Sequence, residues 1–315
     1  MTRTWLTDRF GLSVPLVGAP MAGVGAGRLA AAISAAGALG MIGVPATASA
    51  QWIADEAAVA AESGRPYGIG LMAWTLPGNP GQIDAVLAAR PALVSVSFGP
   101  YAGYVEPFRQ AGITVVTQAG TTREAREAEA AGVDAVVARG GEGGGHGRND
   151  VATLPLLQGV LDAVGIPVLA AGGIAGARGL AAVLAAGAEG AWVGTAFLAC
   201  SETMVSAPAL HRILAAAETD TVYGRVFDVA QRLGWPPEYG GRGLRNAFFD
   251  QWEGKEEALA ADEEAHAAVA AARAAGDYDV AVVYASEAVG LVRERRPAAD
   301  VVADFATAAA LLRRF

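Results

Sequence analysis

The chain repeats one unit: a short apolar run, a turn with glycine or proline, and an alanine-rich stretch that favours a helix. The apolar runs are nearly continuous, which is typical of parallel strands buried on both faces. They begin near Val14, Leu39, Tyr67, Leu93, Ile113, Asp134, Pro167 and Ala191. Eight such units without a reversal predict an α/β fold, a closed (β/α)8 TIM barrel rather than an open doubly wound sheet.

The repeat stops after Thr195. A charged stretch rich in helix-forming residues follows, and the alternation typical of a strand returns only in YDVAVVYASEAVGLV, residues 278–292. We therefore predict a barrel over residues 1–202 and a mostly helical lobe over residues 203–289 that covers the C-terminal mouth of the barrel. Residues 290–315 would then return to the barrel wall.

The charge balance limits the partners of this chain. It has 32 acidic and 23 basic residues, a formal net charge of −9, which argues against nucleic acid or an anionic membrane surface as partner. Cys200 is the only cysteine, which excludes an intramolecular disulfide and a multi-cysteine metal site. We expect a cytoplasmic enzyme of small molecules without a metal. The oligomeric state stays open, with a homodimer as one arrangement.

The loops after the last two predicted barrel strands contain glycines. Gly172 and Gly173 follow the seventh strand, and Gly194 and Thr195 follow the eighth. Ordinary turns would explain either loop alone. In TIM barrels, however, these two loops often bind phosphate together, because glycine lets backbone N–H groups approach the anion. We predict a phosphate pocket there for a cofactor or a substrate.

A glycine run with charged residues follows the sixth predicted strand. It extends from Arg139 to Arg148 as RGGEGGGHGR and contains His146. A flexible linker would explain the glycines. It would not explain two arginines, a glutamate and a histidine at the C-terminal end of a core strand. Because imidazole titrates near neutrality, His146 is the best candidate for proton transfer.

Four segments resemble the nitronate monooxygenase family, formerly called 2-nitropropane dioxygenases. They are GAPMAG (Gly18–Gly23), GGEGGGH (Gly140–His146), the block Ala170–Leu198 and YASEAVGLV (Tyr284–Val292). The resemblance implies an FMN-containing barrel that oxidises alkyl nitronates with O2 to a carbonyl compound and nitrite. Which nitronate is used, and whether neutral nitroalkanes are accepted, stays open.

The resemblance also implies roles for individual residues. His146 matches the family's catalytic histidine, which acts as the base. The residues implied to bind FMN lie at strand ends: Ala19, Pro20, Met21, Gln118, Arg139, Gly144, Gly172, Gly173, Trp192, Val193, Gly194 and Thr195. Trp74, Tyr101 and Ser286 are the candidates for substrate contact.

Two positions depart from the family pattern. Members commonly have asparagine where this chain has Gly70, and glutamine where it has Arg139. If Arg139 faces the site, it would favour an anionic substrate or the reduced anionic flavin.

Two other functions are compatible with the same motifs. The barrel resembles FMN-dependent enoyl-acyl-carrier reductases and NAD(P)H:quinone reductases, in which a nicotinamide reduces the flavin. A non-catalytic phosphate-binding barrel is the remaining alternative, although a scaffold has little use for His146 in a glycine loop.

Overall fold

A computed structural model describes residues 3–314, and it contains the predicted (β/α)8 barrel. Eight parallel strands close in sequence order, with the last paired to the first. Each strand starts at the predicted residue or shortly after it. The strands are β1 (Leu16–Gly18), β2 (Leu39–Gly43), β3 (Tyr67–Met72), β4 (Leu93–Ser97), β5 (Thr114–Ala119), β6 (Ala135–Arg139), β8 (Val168–Ala171) and β9 (Ala191–Val193). The short strand β7 (Gly145–Gly147) lies outside the barrel.

Helices connect the barrel strands and cover their outer face. They are α2 (Gly27–Ala35), α3 (Ala50–Ala61), α4 (Gly81–Ala89), α5 (Ala102–Gln110), α6 (Thr122–Ala130), α7 (Thr153–Ala163) and α8 (Ala177–Ala185), with a 3-10 turn at Ala73–Gly78. Ser49 and Thr121 cap α3 and α6 by accepting a backbone N–H of the first turn. Within residues 3–314, no helix has the length and apolar character needed to cross a bilayer.

The first helix, α1 (Trp5–Phe10), closes the end of the barrel opposite the predicted site. Its Leu6 and Phe10 pack with Leu39 and Leu93, which begin β2 and β4. Side chains at the start of a strand lie at the N-terminal end of a barrel, so α1 seals that end. The catalytic end of such barrels is the other one.

The barrel strands contribute to two apolar layers. Val17, Met41 and Trp192 belong to the cluster that fills the barrel interior. The alternate side chains, such as Ile42 and Val193, pack between the strands and the helices. Because both faces are buried, the strands are continuously apolar in sequence.

The lobe follows β9 and a 3-10 turn at Thr195–Phe197. Its helices are α9 (Ala207–Ala215), α10 (Val226–Ala230), α11 (Ala247–Trp252), α12 (Glu256–Ala260) and α13 (Glu263–Ala275). It also contains two strands that the sequence analysis does not predict, β10 (Thr221–Gly224) and β11 (Gly240–Leu244). With β7 they form an antiparallel sheet in the order β10–β11–β7.

The segment at residues 278–292 forms no extended strand, although its sequence alternates like one. It makes a single bridge between Tyr284 and Gly243 and then a 3-10 turn at Glu287–Leu291. Its side chains pack instead into the apolar clusters of the lobe, to which Val283 and Val289 belong. The alternation of apolar and polar residues in this segment therefore reflects the burial of its side chains and not a place in an extended strand.

The chain then returns to the barrel through α14 (Ala298–Ala306) and α15 (Ala308–Leu312). Helix α14 packs against both α8 and α2, which is the position of the eighth barrel helix. The lobe is therefore inserted between the eighth strand and the eighth helix. The proposed domain limits at residues 202 and 289 stay predictions, and residues 1, 2 and 315 lie outside the described residues.

Candidate active site

Arg139 organises the glycine loop from within. Its guanidinium donates to the carbonyl oxygens of Gly143, Gly144 and Gly145 at 2.8, 3.2 and 3.0 Å, and to that of Arg148 at 3.3 Å. Burial lowers the pKa of Arg139 to about 10, so the guanidinium stays charged at neutral pH. The charge of Arg139, which the sequence analysis considers as a contact for a ligand, binds the carbonyl groups of the loop that contains His146.

Gly144 lies against the closing segment of the lobe. A Cβ atom there would be 2.5 Å from the backbone nitrogen of Ser286 and 2.6 Å from the carbonyl carbon of Ala285. The same N–H of Ser286 donates to Oγ1 of Thr195 at 3.0 Å. The glycine loop, the closing segment and the end of the eighth barrel strand therefore meet at one place.

His146 lies on β7 and is fixed on several sides. Its Nε2 is 2.7 Å from Oδ1 of Asp228. Its ring stacks on Trp235 with centroids 3.6 Å apart and planes 3° apart, and Tyr284 contacts it with centroids 5.1 Å apart. The imidazole is thus held by one hydrogen bond and two aromatic rings.

Asp228 comes from α10 in the lobe and is only 1% exposed. Its Oδ1 also accepts the hydroxyl of Tyr284 at 3.4 Å, while Oδ2 is buried without a partner among residues 3–314. Burial, and then the charge of Asp228, raises the pKa of Tyr284 well above its usual value. Tyr284 therefore remains a neutral hydrogen-bond donor.

Aromatic side chains surround this group. Trp235 lies 5.3 Å from Trp74 and 5.3 Å from Phe98, measured between ring centroids, and Phe98 lies 5.4 Å from Tyr239. The indole N–H of Trp74 is buried and has no acceptor among the described residues. The structure thus connects Trp74, a predicted substrate contact, to His146 through Trp235.

The other two predicted substrate contacts, Tyr101 and Ser286, have partners of their own. Tyr101 is the N-cap residue before α5 and packs against the outer core, where burial raises its pKa to about 12. Ser286 caps the 3-10 turn, with its Oγ accepting the N–H of Ala288 at 3.2 Å. Their roles in substrate binding stay predictions.

The start of α8, after β8, is a part of the predicted phosphate pocket that faces open space. Gly172 and Gly173 adopt φ of 109° and 68°, a region that favours glycine. Gly176 is the N-cap residue before α8 and provides no side-chain cap, and a Cβ there would meet only open space. By contrast, the carboxylate of Glu142 already accepts both donors of Thr153 at the start of α7, at 2.8 and 2.6 Å. The uncapped start of α8 therefore fits an anion.

The predicted flavin contacts after β1 are adjacent to this pocket. A Cβ placed on Gly194 would lie 3.4 Å from Sδ of Met21 and 3.7 Å from Cβ of Ala19. A Cβ on Gly70 would lie 2.4 Å from Pro20, so the ring of Pro20 occupies the place of the side chain that other members have there.

Three further predicted cofactor residues differ in what they can offer. The side chain of Trp192 is in the barrel interior and that of Val193 in the helix-facing layer, so only their backbone atoms can reach a ligand. Gln118 ends β5 with a half-buried side chain, and its N–H donates to Oγ of Ser97 at 3.0 Å.

Asp228, Trp235 and Tyr284 are the site residues that sequence reasoning missed. They are distant from His146 in sequence, and no local motif connects them to it. A signal was present, since Asp228 interrupts the otherwise apolar helix α10, VFDVA. A lone carboxylate on a buried helix usually has a polar partner.

Comparison with known proteins gives the family. The family model described as nitronate monooxygenase matches residues 71–307. A nitronate monooxygenase of Paraburkholderia phytofirmans is 31% identical, with 95% of this chain and 93% of the relative covered. A Rhodococcus jostii protein named (3aS,4S,5R,7aS)-5-hydroxy-7a-methyl-1-oxo-octahydro-1H-indene-4-carboxyl-CoA dehydrogenase is 37% identical over 72% of this chain. That match spans 64% of the Rhodococcus protein, less than two thirds of its length.

Two solved structures share the whole architecture. FabK from Thermotoga maritima has a TM-score of 0.86 at 29% identity, covering 100% of this chain and 99% of that chain. Nitroalkane oxidase from Streptomyces ansochromogenes has a TM-score of 0.83 at 32% identity, covering 98% and 99%. The chain therefore belongs to the nitronate monooxygenase family of oxidoreductases.

Proposed function

We propose that the protein oxidises alkyl nitronates with O2 to a carbonyl compound and nitrite, and that His146 acts as the base towards neutral nitroalkanes. The observation that carries this proposal is the held imidazole, with Nε2 2.7 Å from Asp228 and the ring stacked on Trp235. A base must be fixed relative to the proton that it removes, and imidazole titrates in the required range.

Family membership supports a flavin cofactor, and we propose that the flavin is FMN. Its phosphate would be held by Gly172, Gly173, Gly194 and Thr195 together with the N–H groups at the start of α8, which has no side-chain cap within residues 3–314. FMN supplies the electron transfer between nitronate and O2 when bound. Met21 and the neighbouring Ala19 and Pro20 would contact its ring system.

The residues of the chain then provide position and proton transfer. Arg139 keeps the glycine loop folded, so that β7 presents His146 towards the mouth. Trp74 and Trp235 provide apolar surface beside the imidazole. Such surface suits the alkyl part of a nitronate and keeps water away from the reacting carbon.

The test is O2 consumption with preformed ethyl nitronate and with neutral nitroethane. The wild-type protein is expected to consume O2 with the nitronate. His146→Ala is expected to lower nitroethane turnover by about 10² to 10⁴-fold, the usual contribution of a general base, and nitronate turnover far less. His211→Ala, on the exposed face of α9, is the control. No nitronate-dependent O2 consumption would disprove the proposal, and equal losses on both substrates would assign His146 to binding.

An FMN-dependent NAD(P)H reductase is the second candidate. It is favoured by the likeness to FabK over the whole chain, and the name of the Rhodococcus relative adds acyl-CoA thioesters to the substrates worth testing. The two candidates separate in an anaerobic visible spectrum. Bleaching of the flavin by ethyl nitronate and not by NADPH supports nitronate oxidation, whereas bleaching by NADPH alone assigns the protein to the reductases.

A further inference from the structure

The contact between His146 and Asp228 has chemical consequences beyond holding the ring. We infer that Asp228 is the positioning residue of His146: its carboxylate keeps the ring proton on Nε2 and leaves Nδ1 as the atom that accepts the substrate proton. The inference deepens the proposed function and rests on it for the identity of the proton donor. The pairing itself can be tested without any substrate.

The hydrogen-bond inventory fixes the tautomer. A carboxylate can only accept, so in the 2.7 Å contact Nε2–H of His146 must donate to Oδ1 of Asp228. A neutral imidazole has one N–H, and Nδ1 therefore carries a lone pair. Nδ1 makes no hydrogen bond to any of residues 3–314. Nδ1, the ring nitrogen that can accept a proton, thus has no hydrogen-bond partner among the described residues.

The surroundings prevent the ring from turning to another partner. Trp235 covers one face of the imidazole in a parallel stack, and Tyr284 lies against it at an angle of 54°. On the sheet side, His146 pairs with Gly241, where a Cβ would be 3.3 Å from Nε2 of His146 and 2.7 Å from Tyr284. A side chain at position 241 would therefore crowd both Tyr284 and the imidazole of His146.

Charge supplies the energetic argument. Within residues 3–314, His146 is the one basic group within 4.0 Å of the Asp228 carboxylate. The side chains of the pair are 8% and 1% exposed, so water screens their attraction poorly. When Nδ1 accepts a proton, the pair becomes an ion pair in this dry site. A buried carboxylate placed in this way stabilises the imidazolium as it forms.

The decisive measurement is the tautomer of His146 in the flavin-loaded protein with 15N-labelled histidine. There are 3 histidines, and the signals that vanish in His146→Ala identify those of His146. At a pH where the ring is neutral, we expect a protonated Nε2 and an unprotonated Nδ1. Asp228→Asn keeps the side-chain volume and can donate to Nε2, so it should populate the tautomer with the proton on Nδ1. Asp228→Glu should restore the original one.

Turnover tests the consequence for the reaction. Asp228→Asn is expected to lower nitroethane turnover by about 10² to 10⁴-fold, as a wrong tautomer does in histidine-dependent catalysis. Its KM, flavin content and turnover of preformed nitronate should stay within a few-fold of the wild type, and Asp228→Glu should recover part of the loss. Asp250→Asn, exposed on α11, serves as control.

The outcomes separate the inference from the proposed function. A wild-type His146 with its proton on Nδ1, or an Asp228→Asn spectrum with Nε2 still the protonated nitrogen, would overturn the inference. So would a changed tautomer with unchanged nitroethane turnover. If the tautomer follows Asp228 while the wild type oxidises neither nitroethane nor its nitronate, the pairing stands and the proposed reaction fails.

Discussion

At the scale of single residues, Arg139 is a cation whose charge is satisfied by neutral carbonyl groups. Four carbonyl oxygens of the glycine loop accept from its guanidinium. Glycine makes this arrangement possible at Gly147, where a Cβ would lie 2.1 Å from Nη1 of Arg139. The loop consists mostly of glycine and has few side chains that can pack, so the hydrogen bonds of Arg139 stabilise it instead.

Arg139→Ala is therefore expected to lower the stability of the folded protein. The contact with the Gly143 carbonyl is buried, and the other three are part-buried and open to hydration. A buried carbonyl group left without a donor costs roughly 1 to 3 kcal/mol and a hydrated one less, so we expect a total loss of about 2 to 5 kcal/mol in the free energy of unfolding. The shift in the urea midpoint measures it. Arg126→Ala, exposed on α6, should change the stability by about 0.5 kcal/mol or less. Equal midpoints for the two variants would contradict this role of Arg139.

The sequence allows a residue to be placed when it directly follows a barrel strand. Gly172 and Thr195 had to lie at the C-terminal mouth because each follows a barrel strand, and all such ends face the same way. Asp228 could not be placed in the same way. Its approach to His146 depends on how the lobe folds over the barrel, and no spacing in the sequence encodes that distance.

At the scale of elements, the pairing of β7 with β11 connects the barrel to the lobe. The registers are Gly147 with Gly240, His146 with Gly241, and Gly145 with Arg242. Arg242 strengthens the junction by donating to the carbonyl of Gly141 at 2.9 Å and to Oδ1 of Asn149 at 2.8 Å. Within the glycine run, Gly145–Gly147 is thus an edge strand of a three-stranded sheet.

Gly144 tests whether this junction requires close backbone approach. Gly144→Ala places a methyl group 2.5 Å from the backbone nitrogen of Ser286, so the loop must shift. We expect a loss of about 1 to 3 kcal/mol in stability, as for other overpacked sites. Turnover of nitroethane should fall as well, because His146 lies two residues further on.

The matched control for Gly144→Ala is Gly103→Ala, which is expected to change the stability in the opposite direction. Gly103 is helical in α5, and a Cβ there meets open space. Gly103→Ala should therefore raise the stability by about 0.5 to 1 kcal/mol. Thermal unfolding of both variants measures the difference. Stabilisation by Gly144→Ala would show that the loop and the closing segment are not in firm contact.

At the scale of the whole molecule, the barrel and a mostly helical lobe near the C-terminus were predictable, and the small sheet inside the lobe was not. Barrel strands are buried on both faces, so each leaves a continuous apolar run in the sequence. The lobe strand β11, GGRGL, has three glycines and no alternation of apolar and polar residues. Its strand conformation is imposed by its neighbours β10 and β7, and local sequence cannot show a partner that lies far away in the chain.

The inserted position of the lobe has a consequence for the residues that hold His146. β11 is the middle strand of its sheet, so β7 and His146 are hydrogen-bonded to the cover of the barrel mouth. Asp228 and Trp235 belong to that cover too. If the lobe were displaced, His146 would either move with it or lose its contacts with Asp228 and Trp235. Proton abstraction by His146, as proposed, therefore requires the lobe in the position described here.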